Sequence, residues 1–213
     1  MIISVHLADV GLARSVPALG SPPRPDPARG LRWAAAVLPL TIGHVPPRPR
    51  LGRIGLIAAW SSDEDLDHFL TDDPWSRHLT GGYDVRLAPL RTVGSWAALP
   101  ELQHGHDNGS VDEPVGVLTL GQLRTSQALR FLRATAIAER SLLTQPALSL
   151  SVRIARPPFL ATFSLWSSTQ GMQDYTQAPG HTNASTQHTA KPFHHQAAFT
   201  RVRPYRTRGT WTG

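Results

Sequence analysis

Apolar and polar positions alternate at the start of the chain. Ile3, Val5 and Leu7 share one face and Ser4, His6 and Ala8 the other, so Ile2 to Ala8 reads as a strand. The second face, with His6, is a candidate wall for a cavity. Pro17, Pro22, Pro23, Pro25 and Pro27 then predict a loop, and the run Trp33 to Leu38 a short apolar helix. Ile54 to Trp60 is apolar throughout, as a buried strand would be. Ser62 followed by three acids is a helix start, and Leu66, Phe69 and Leu70 form that helix's apolar stripe. Tyr83 to Trp96 reads as a strand with a bulge at Pro89. In the second half the pattern predicts strands at Val115–Leu120, Leu148–Ile154, Phe159–Trp166 and Phe199–Tyr205. Helices are expected over Ser126–Leu143, with Leu129, Leu132, Ala136 and Ile137 facing inward, and over Thr169–Tyr175.

The pattern repeats. Ile54-Gly-Leu-Ile-Ala-Ala-Trp60-Ser-Ser62 reads like Leu160-Ala-Thr-Phe-Ser-Leu-Trp166-Ser-Ser168, an offset of 106 that carries on to Leu66/Met172 and Phe69/Tyr175. Gly94-Ser-Trp96 matches Gly209-Thr-Trp211 at an offset of 115, so the second copy holds about nine extra residues, near His181 to His195. The order strand, helix, two strands, helix, strand is ferredoxin-like. The expected fold is therefore α+β: two tandem ferredoxin-like repeats that form an intrachain pseudo-dimeric α+β barrel. Repeat 1 spans 1–100, a linker 101–113, and repeat 2 spans 114–213 and carries most of the site. Trp60 and Trp166 should end equivalent strands. A closed barrel leaves no sheet edge and encloses an apolar cavity.

Composition narrows the chemistry. The 213 residues are 40% hydrophobic and contain no Cys, which excludes disulfide scaffolds, thiolate metal sites and cysteine nucleophiles. No apolar run is long enough to span a membrane, and no basic segment precedes an apolar core, so neither a transmembrane segment nor a signal peptide is expected and the location reads as cytoplasmic. Residues 1–106 balance their charges; residues 107–213 carry the whole net +6, all basic residues but Lys191 being arginine. No recognition motif or stacking pattern accompanies the arginines, so nucleic acid is not expected as a partner. GxGxxG, HExxH and GxSxG are absent, and His104-Gly-His106-Asp107 lies in the presumed linker.

Several segments, in this order, carry a resemblance: Val117-Leu-Thr-Leu-Gly-Gln-Leu-Arg124, Ala128-Leu-Arg-Phe-Leu-Arg133, Ala161-Thr-Phe-Ser-Leu-Trp166, Met172-Gln-Asp-Tyr175, Gly180-His181, Phe199-Thr-Arg201-Val-Arg203 and Gly209-Thr-Trp-Thr-Gly213. They resemble the spheroidene monooxygenase family of carotenoid biosynthesis, most clearly over 115–213 and less so around Ile57-Ala-Ala-Trp60 and Gly94-Ser-Trp96. Leu120 stands where that family's first strand carries arginine, and Gln196 and Ala197 where acids are usual.

The resemblance implies a haem-dependent (heme) monooxygenase acting on a hydrophobic small molecule: a polyene, a terpenoid or a polyketide of secondary metabolism. An electron-donor protein and homo-oligomerisation go with that reading. Without Cys the axial ligand of a haem is most often His. His181 is the first candidate; His194 and His195 point different ways, so that one of them faces inward. Arg124, Arg130 and Arg203 are the candidate partners of haem propionates, because guanidinium groups bond carboxylates in pairs. Thr162 and Ser164 are the candidate polar groups of the substrate cavity. The alternative is a haem-free barrel, either a cofactor-independent cyclase or isomerase or a binding protein for a biosynthetic intermediate. Trp75 occupies the position matching His181 in the first copy, so one asymmetric site is expected. Trp75 and His78 are read as structural.

Overall fold

A computed structural model describes residues 1–99, 102 and 110–211. The His104–Asp107 motif and most of the linker lie outside the described residues. The first half runs β1 (Ile2–Asp9), α1 (Leu12–Gly20), β2 (Leu31–Leu40), β3 (Arg53–Trp60), α2 (Asp63–Asp72) and β4 (Tyr83–Gly94). The second runs β5 (Val115–Leu123), α3 (Ala128–Leu143), β6 (Leu148–Arg156), β7 (Phe159–Trp166), α4 (Thr169–Gln177), α5 (Pro179–Ala190) and β8 (His194–Arg208). Every strand pairing is antiparallel, and the eight strands close into a barrel in the order β1-β3-β2-β6-β7-β5-β8-β4. The halves meet at two seams, β2–β6 and β4–β8.

Within the barrel order each half contributes one contiguous block of four strands, β4-β1-β3-β2 and β8-β5-β7-β6. Trp60 ends β3 opposite Ile2, and Trp166 ends β7 opposite Val115. The register sets these two tryptophans at opposite mouths of the barrel. Both helix starts after them are capped alike: Ser62 Oγ accepts from Asp65 N–H and Ser168 Oγ from Gly171 N–H.

Two expectations in the first half are corrected. The proline-rich stretch contains helix α1, with Pro17 inside it. Trp33 to Leu38 lies in strand β2, not in a helix. The run is buried on both faces: Ala35 and Val37 point into the barrel, while Ala36 is covered from outside and Ala34 packs under α1. A run with no polar face carries no period, and periodicity cannot assign it. In α3 Phe131, Ala134, Ala136, Ala138, Glu139 and Leu142 are buried and Leu132 packs beside Phe131, so Ala136 and Leu132 lie as expected, whereas Leu129 and Ile137 are exposed. The bulge expected near Pro89 is present as a register shift between Pro89 and Arg91.

The barrel interior is a packed core, not the cavity the pattern suggested. Ile3, Val5, Leu7, Val85, Leu87, Leu118, Leu120, Phe163 and Val202 fill it from the strands. Trp96, Leu99 and Leu102, on the segment after β4, close one mouth, where Trp33, Trp96 and Phe159 meet edge to face at 5.7–6.0 Å. Trp211 packs at the other mouth beneath Arg53. An eight-stranded barrel is just wide enough for its own side chains, and these are large.

The outward face of the strands holds most of the buried polar groups, Thr200 of β8 being an inward one between Ala198 and Val202. Arg86 of β4 is 1% exposed and ion-pairs with Asp63, at 2.6 Å, and with Asp67 of α2. Arg153 of β6, equally buried, pairs with Glu139 of α3, whose other oxygen accepts from Gly43 N–H at 2.7 Å. Ser4 accepts from the Trp60 indole at 2.9 Å. His6 is also outward, contrary to its candidate place in a cavity. It is 2% exposed with Nε2 unpartnered. Burial, with repulsion from Arg86 second, pushes its pKa down to about 3.

This shift has a consequence for acid stability. Between pH 6.5 and about 3 the unfolded chain binds a proton at His6 that the folded chain refuses. Acid therefore lowers stability across that window, and above pH 6.5 the group has no effect. His6→Gln should flatten the fall in unfolding free energy between pH 7 and pH 5 measured by denaturant titration. A wild-type slope in the variant would exclude His6 as the cause.

Candidate functional site

Four rings of the second half, Phe131, His188, Phe193 and His194, converge at α5. His194 opens β8 and lies outward because β8 bulges there, the register shifting between Gln122 and Leu123. Its ring is 7% exposed and sits 5.1 Å from Phe131 of α3, 5.4 Å from His188 of α5 and 6.3 Å from Phe193. Leu123, Leu160 and Ala184 complete the apolar wall around Phe131 and Phe193. Gly121 makes room for the imidazole: a Cβ there would stand 2.7 Å from His194 Cδ2.

The electrostatics keep this imidazole neutral. Burial, and then repulsion from His188, pushes the His194 pKa down to about 4. Burial, and then Arg130, lowers His188. His188 Nδ1 accepts from Phe193 N–H at 3.2 Å. His194 Nδ1 is buried without a partner. A neutral imidazole with an unengaged nitrogen is the protonation state a metal ligand or a general base requires.

Two of the expected arginines border this cluster. Arg124 Nε donates to His194 O at 3.0 Å. Arg130 lies over the Phe193 ring at 4.4 Å and donates from Nη2 to the carbonyls of Gln187, at 2.8 Å, and Lys191, so that it caps the C-terminal end of α5. Its Nε is buried and unpartnered. A guanidinium offers five N–H donors, so each arginine retains capacity toward a carboxylate.

The other expected residues lie elsewhere. His181 is in the first turn of α5, seven residues from His188 and so about 10 Å along the helix. Its ring packs on Tyr175 at 5.0 Å with Nδ1 3.1 Å from Thr176 O, and burial lowers its pKa. Arg203 is exposed on the outward face of β8, opposite Ala88. Thr162 and Ser164 face outward from β7, alternating with inward Ala161 and Phe163, and Ser164 Oγ accepts from the Trp166 indole at 3.0 Å. His181, Arg203, Thr162 and Ser164 thus do not gather around one point. His195 is exposed. Trp75 packs against the first-half core and donates to Ala18 O at 3.2 Å.

Sequence reasoning passed over His188, Gly121 and Phe131. The i, i+7 spacing of His181 and His188 in a polar segment was the available signal for His188. Nothing local marks Gly121, whose need for a bare Cα arises from a strand 73 residues away.

The residues at His194 match a haem-like group in donor chemistry: one neutral imidazole with a free nitrogen, flanked by two arginines. The rings of Phe131, His188 and Phe193 occupy the space around it. Among the described residues no group of three or more His, Asp or Glu is placed to hold a bare metal ion.

Gly121→Ala should cost about 1–3 kcal/mol, because the new methyl forces the His194 ring off its site. In a His194→Ala background the same change should cost under about half of that. Additive losses in a double-mutant cycle would show that the two positions are not in contact.

No family model matches the chain. It is 29% identical over 208 residues to a protein of Rubrivivax gelatinosus named spheroidene monooxygenase, covering 95% of this chain and 77% of that one. In structure it is similar to an aldoxime dehydratase crystallised with butyraldoxime, with a TM-score of 0.54 at 11% identity over 96% of this chain and 79% of that one. A heme-degrading enzyme of Listeria monocytogenes aligns at a TM-score of 0.33 and 12% identity, over 94% of this chain and 99% of that one. The aldoxime dehydratase alignment shows a shared fold, and in sequence the chain is a relative of spheroidene monooxygenase along nearly its whole length.

Proposed function

We propose that this chain is a monooxygenase-like oxidoreductase acting on an apolar small molecule, with one site per chain under α5. The observation that carries the reading is the buried neutral His194, between aromatic rings and two arginines, in a chain similar over 95% of its length to spheroidene monooxygenase. We read the halves as tandem ferredoxin-like copies, 1–100 and 114–213. Matching helix caps, matching strand blocks and the Trp60/Trp166 placement support that reading. The second copy, which alone carries α5, then holds the site. A polyene, terpenoid or polyketide suits the apolar wall. Reducing equivalents come from an external donor, and the assignments to the cytoplasm and to a homo-oligomer stay with this reading.

In this proposal His194 would hold a haem by its imidazole, in preference to His181, and Arg124 and Arg130 would take the carboxylates. Bound there, haem supplies the redox chemistry that dioxygen activation requires. The chain's own part is distinct. Burial keeps His194 unprotonated at neutral pH. Gly121 and Phe131 orient its ring. Phe193, Leu160 and Ala184 keep water from it. One further observation favours the haem-free alternative: the rings packed around His194 leave it already enclosed. A cofactor-independent isomerase or cyclase would use the same neutral imidazole as a base.

Titration of the purified protein with haemin, read at the Soret band, separates these readings. A saturable shift is expected for wild type and for His181→Ala. His194→Ala should abolish it, and Arg124→Gln/Arg130→Gln should weaken it at least about tenfold, as expected for two charge-assisted contacts. A shift unchanged in His194→Ala would overturn the ligand assignment, and no shift in wild type would leave the haem-free reading in its place.

A further inference from the structure

The first half carries a cationic cleft apart from the cluster under α5. The turn Pro74–Leu79 follows α2 and packs against α1. Its shape is fixed at several points. Asp73 Oδ1 accepts from Trp75 N–H at 2.8 Å, and Ser76 Oγ donates to Leu70 O at 3.0 Å and to Asp73 O at 2.7 Å. The Trp75 indole donates to Ala18 O at 3.2 Å, and Ala18, Trp75 and Leu79 share one apolar cluster. Turn and helix are thereby held as one unit.

Between them lies a cleft of about 390 Å³ lined by Arg14 of α1 and by Arg77 and His78 of the turn. Neither α1 nor the turn contains an Asp or Glu. Of the acids just before the turn, Asp73 caps the Trp75 amide and Asp72 faces His68 at 3.9 Å. Arg14 stands in the first turn of α1, where the helix dipole disfavours a cation and no acidic side chain offsets it. Arg77 uses Nε on Pro74 O, at 2.6 Å, which leaves its Nη donors. Burial, and then Arg77 and Arg14, lowers the His78 pKa, so the ring is neutral at neutral pH and still offers one N–H.

We propose that this cleft binds the phosphate group of a small phosphate monoester. Two guanidinium groups from separate elements meet oxyanion oxygens with paired, charge-assisted bonds. With His78 neutral, the fixed charge of the cleft is that of its two arginines. A phosphate monoester carries about −1.5 to −2 at neutral pH and matches it, whereas one carboxylate leaves half of it uncompensated. The volume exceeds what an oxyanion alone fills and lies within the ~300–1,000 Å³ of small-molecule sites, so the cleft also holds the organic part of the ester. The site stands whether or not the chain binds haem.

Isothermal titration calorimetry with phenyl phosphate tests this, against inorganic phosphate and benzoate. Wild type should bind phenyl phosphate saturably and more tightly than either of the others. Arg14→Gln and Arg77→Gln should each weaken binding at least about tenfold. Both side chains are exposed, so the thermal midpoint of the free protein should not move. His78→Leu should weaken binding about fivefold, as for one neutral hydrogen bond. The control Arg133→Gln/Arg156→Gln removes charge from exposed positions of the second half and should bind like wild type. No binding by wild type, or an equal loss in the control, would overturn the site. Benzoate bound as tightly as phenyl phosphate would overturn the phosphate assignment, and inorganic phosphate bound as tightly would overturn the monoester.

Discussion

Barrel closure is the constraint on which the other features depend. Eight antiparallel strands leave no free edge, and the lumen they enclose accommodates little beyond their own side chains. Here large residues fill it, from Leu7 and Leu87 to Phe163, and tryptophans at both mouths complete the packing. Chemistry is thereby moved outward. Every buried charged side chain on the strands, Arg86 and Arg153 included, points into the layer between barrel and helices.

That layer is held by ions as well as by apolar contact. Arg86 ties β4 to α2, and Arg153 ties β6 to α3, while Glu139 extends the second tie to the backbone of Gly43 in the other half. Burial pushes the Glu139 carboxyl up, and Arg153 pulls it back down. Pairs of this kind add little net stability compared with apolar replacements, yet removing one partner strands a buried charge at a cost of about 3–5 kcal/mol. Their value here is register. They fix which helix turn sits on which strand, and so where α3 presents Phe131 to His194.

The sequence displayed the parts of this fold that have a polar side. β1, β7 and the starts of α2 and α4 were legible because alternation or a capping serine marks them, while β3, apolar throughout, was legible through its repeat in β7, and the Trp60/Trp166 match gave the strand equivalence. β2 was misread because Trp33 to Leu38 is buried on both faces. The inward stripe of α3 was read in part, Ala136 and Leu132 correctly but Leu129 and Ile137 not, because the buried set includes Glu139, a charged residue whose partner Arg153 is known only from the fold. The site was half legible. Arg124 and Arg130 both border His194, since a bulge at the start of β8 turns that histidine outward beneath α5 and leaves His195 exposed. His6, Thr162 and Ser164 were assigned to a cavity on the premise that the polar face of a barrel strand looks inward. In a lumen this tight the polar face of these two strands looks to the helices.

The two halves differ most where α5 stands. This helix buries no residue fully and has no apolar stripe, so burial alone does not account for its position. Specific polar contacts hold it instead: Arg130 on its last carbonyls, His188 receiving the Phe193 amide, His181 against Thr176. It covers the most apolar part of the outer layer, around Phe131 and Phe193, with a polar surface. Elements held by a few hydrogen bonds over an apolar floor open at lower free energy than the core beneath them. With the lumen full, the His194 site of the proposed reading lies in the outer layer, beneath a helix held by a few polar contacts and beside a His188 that is only half-buried.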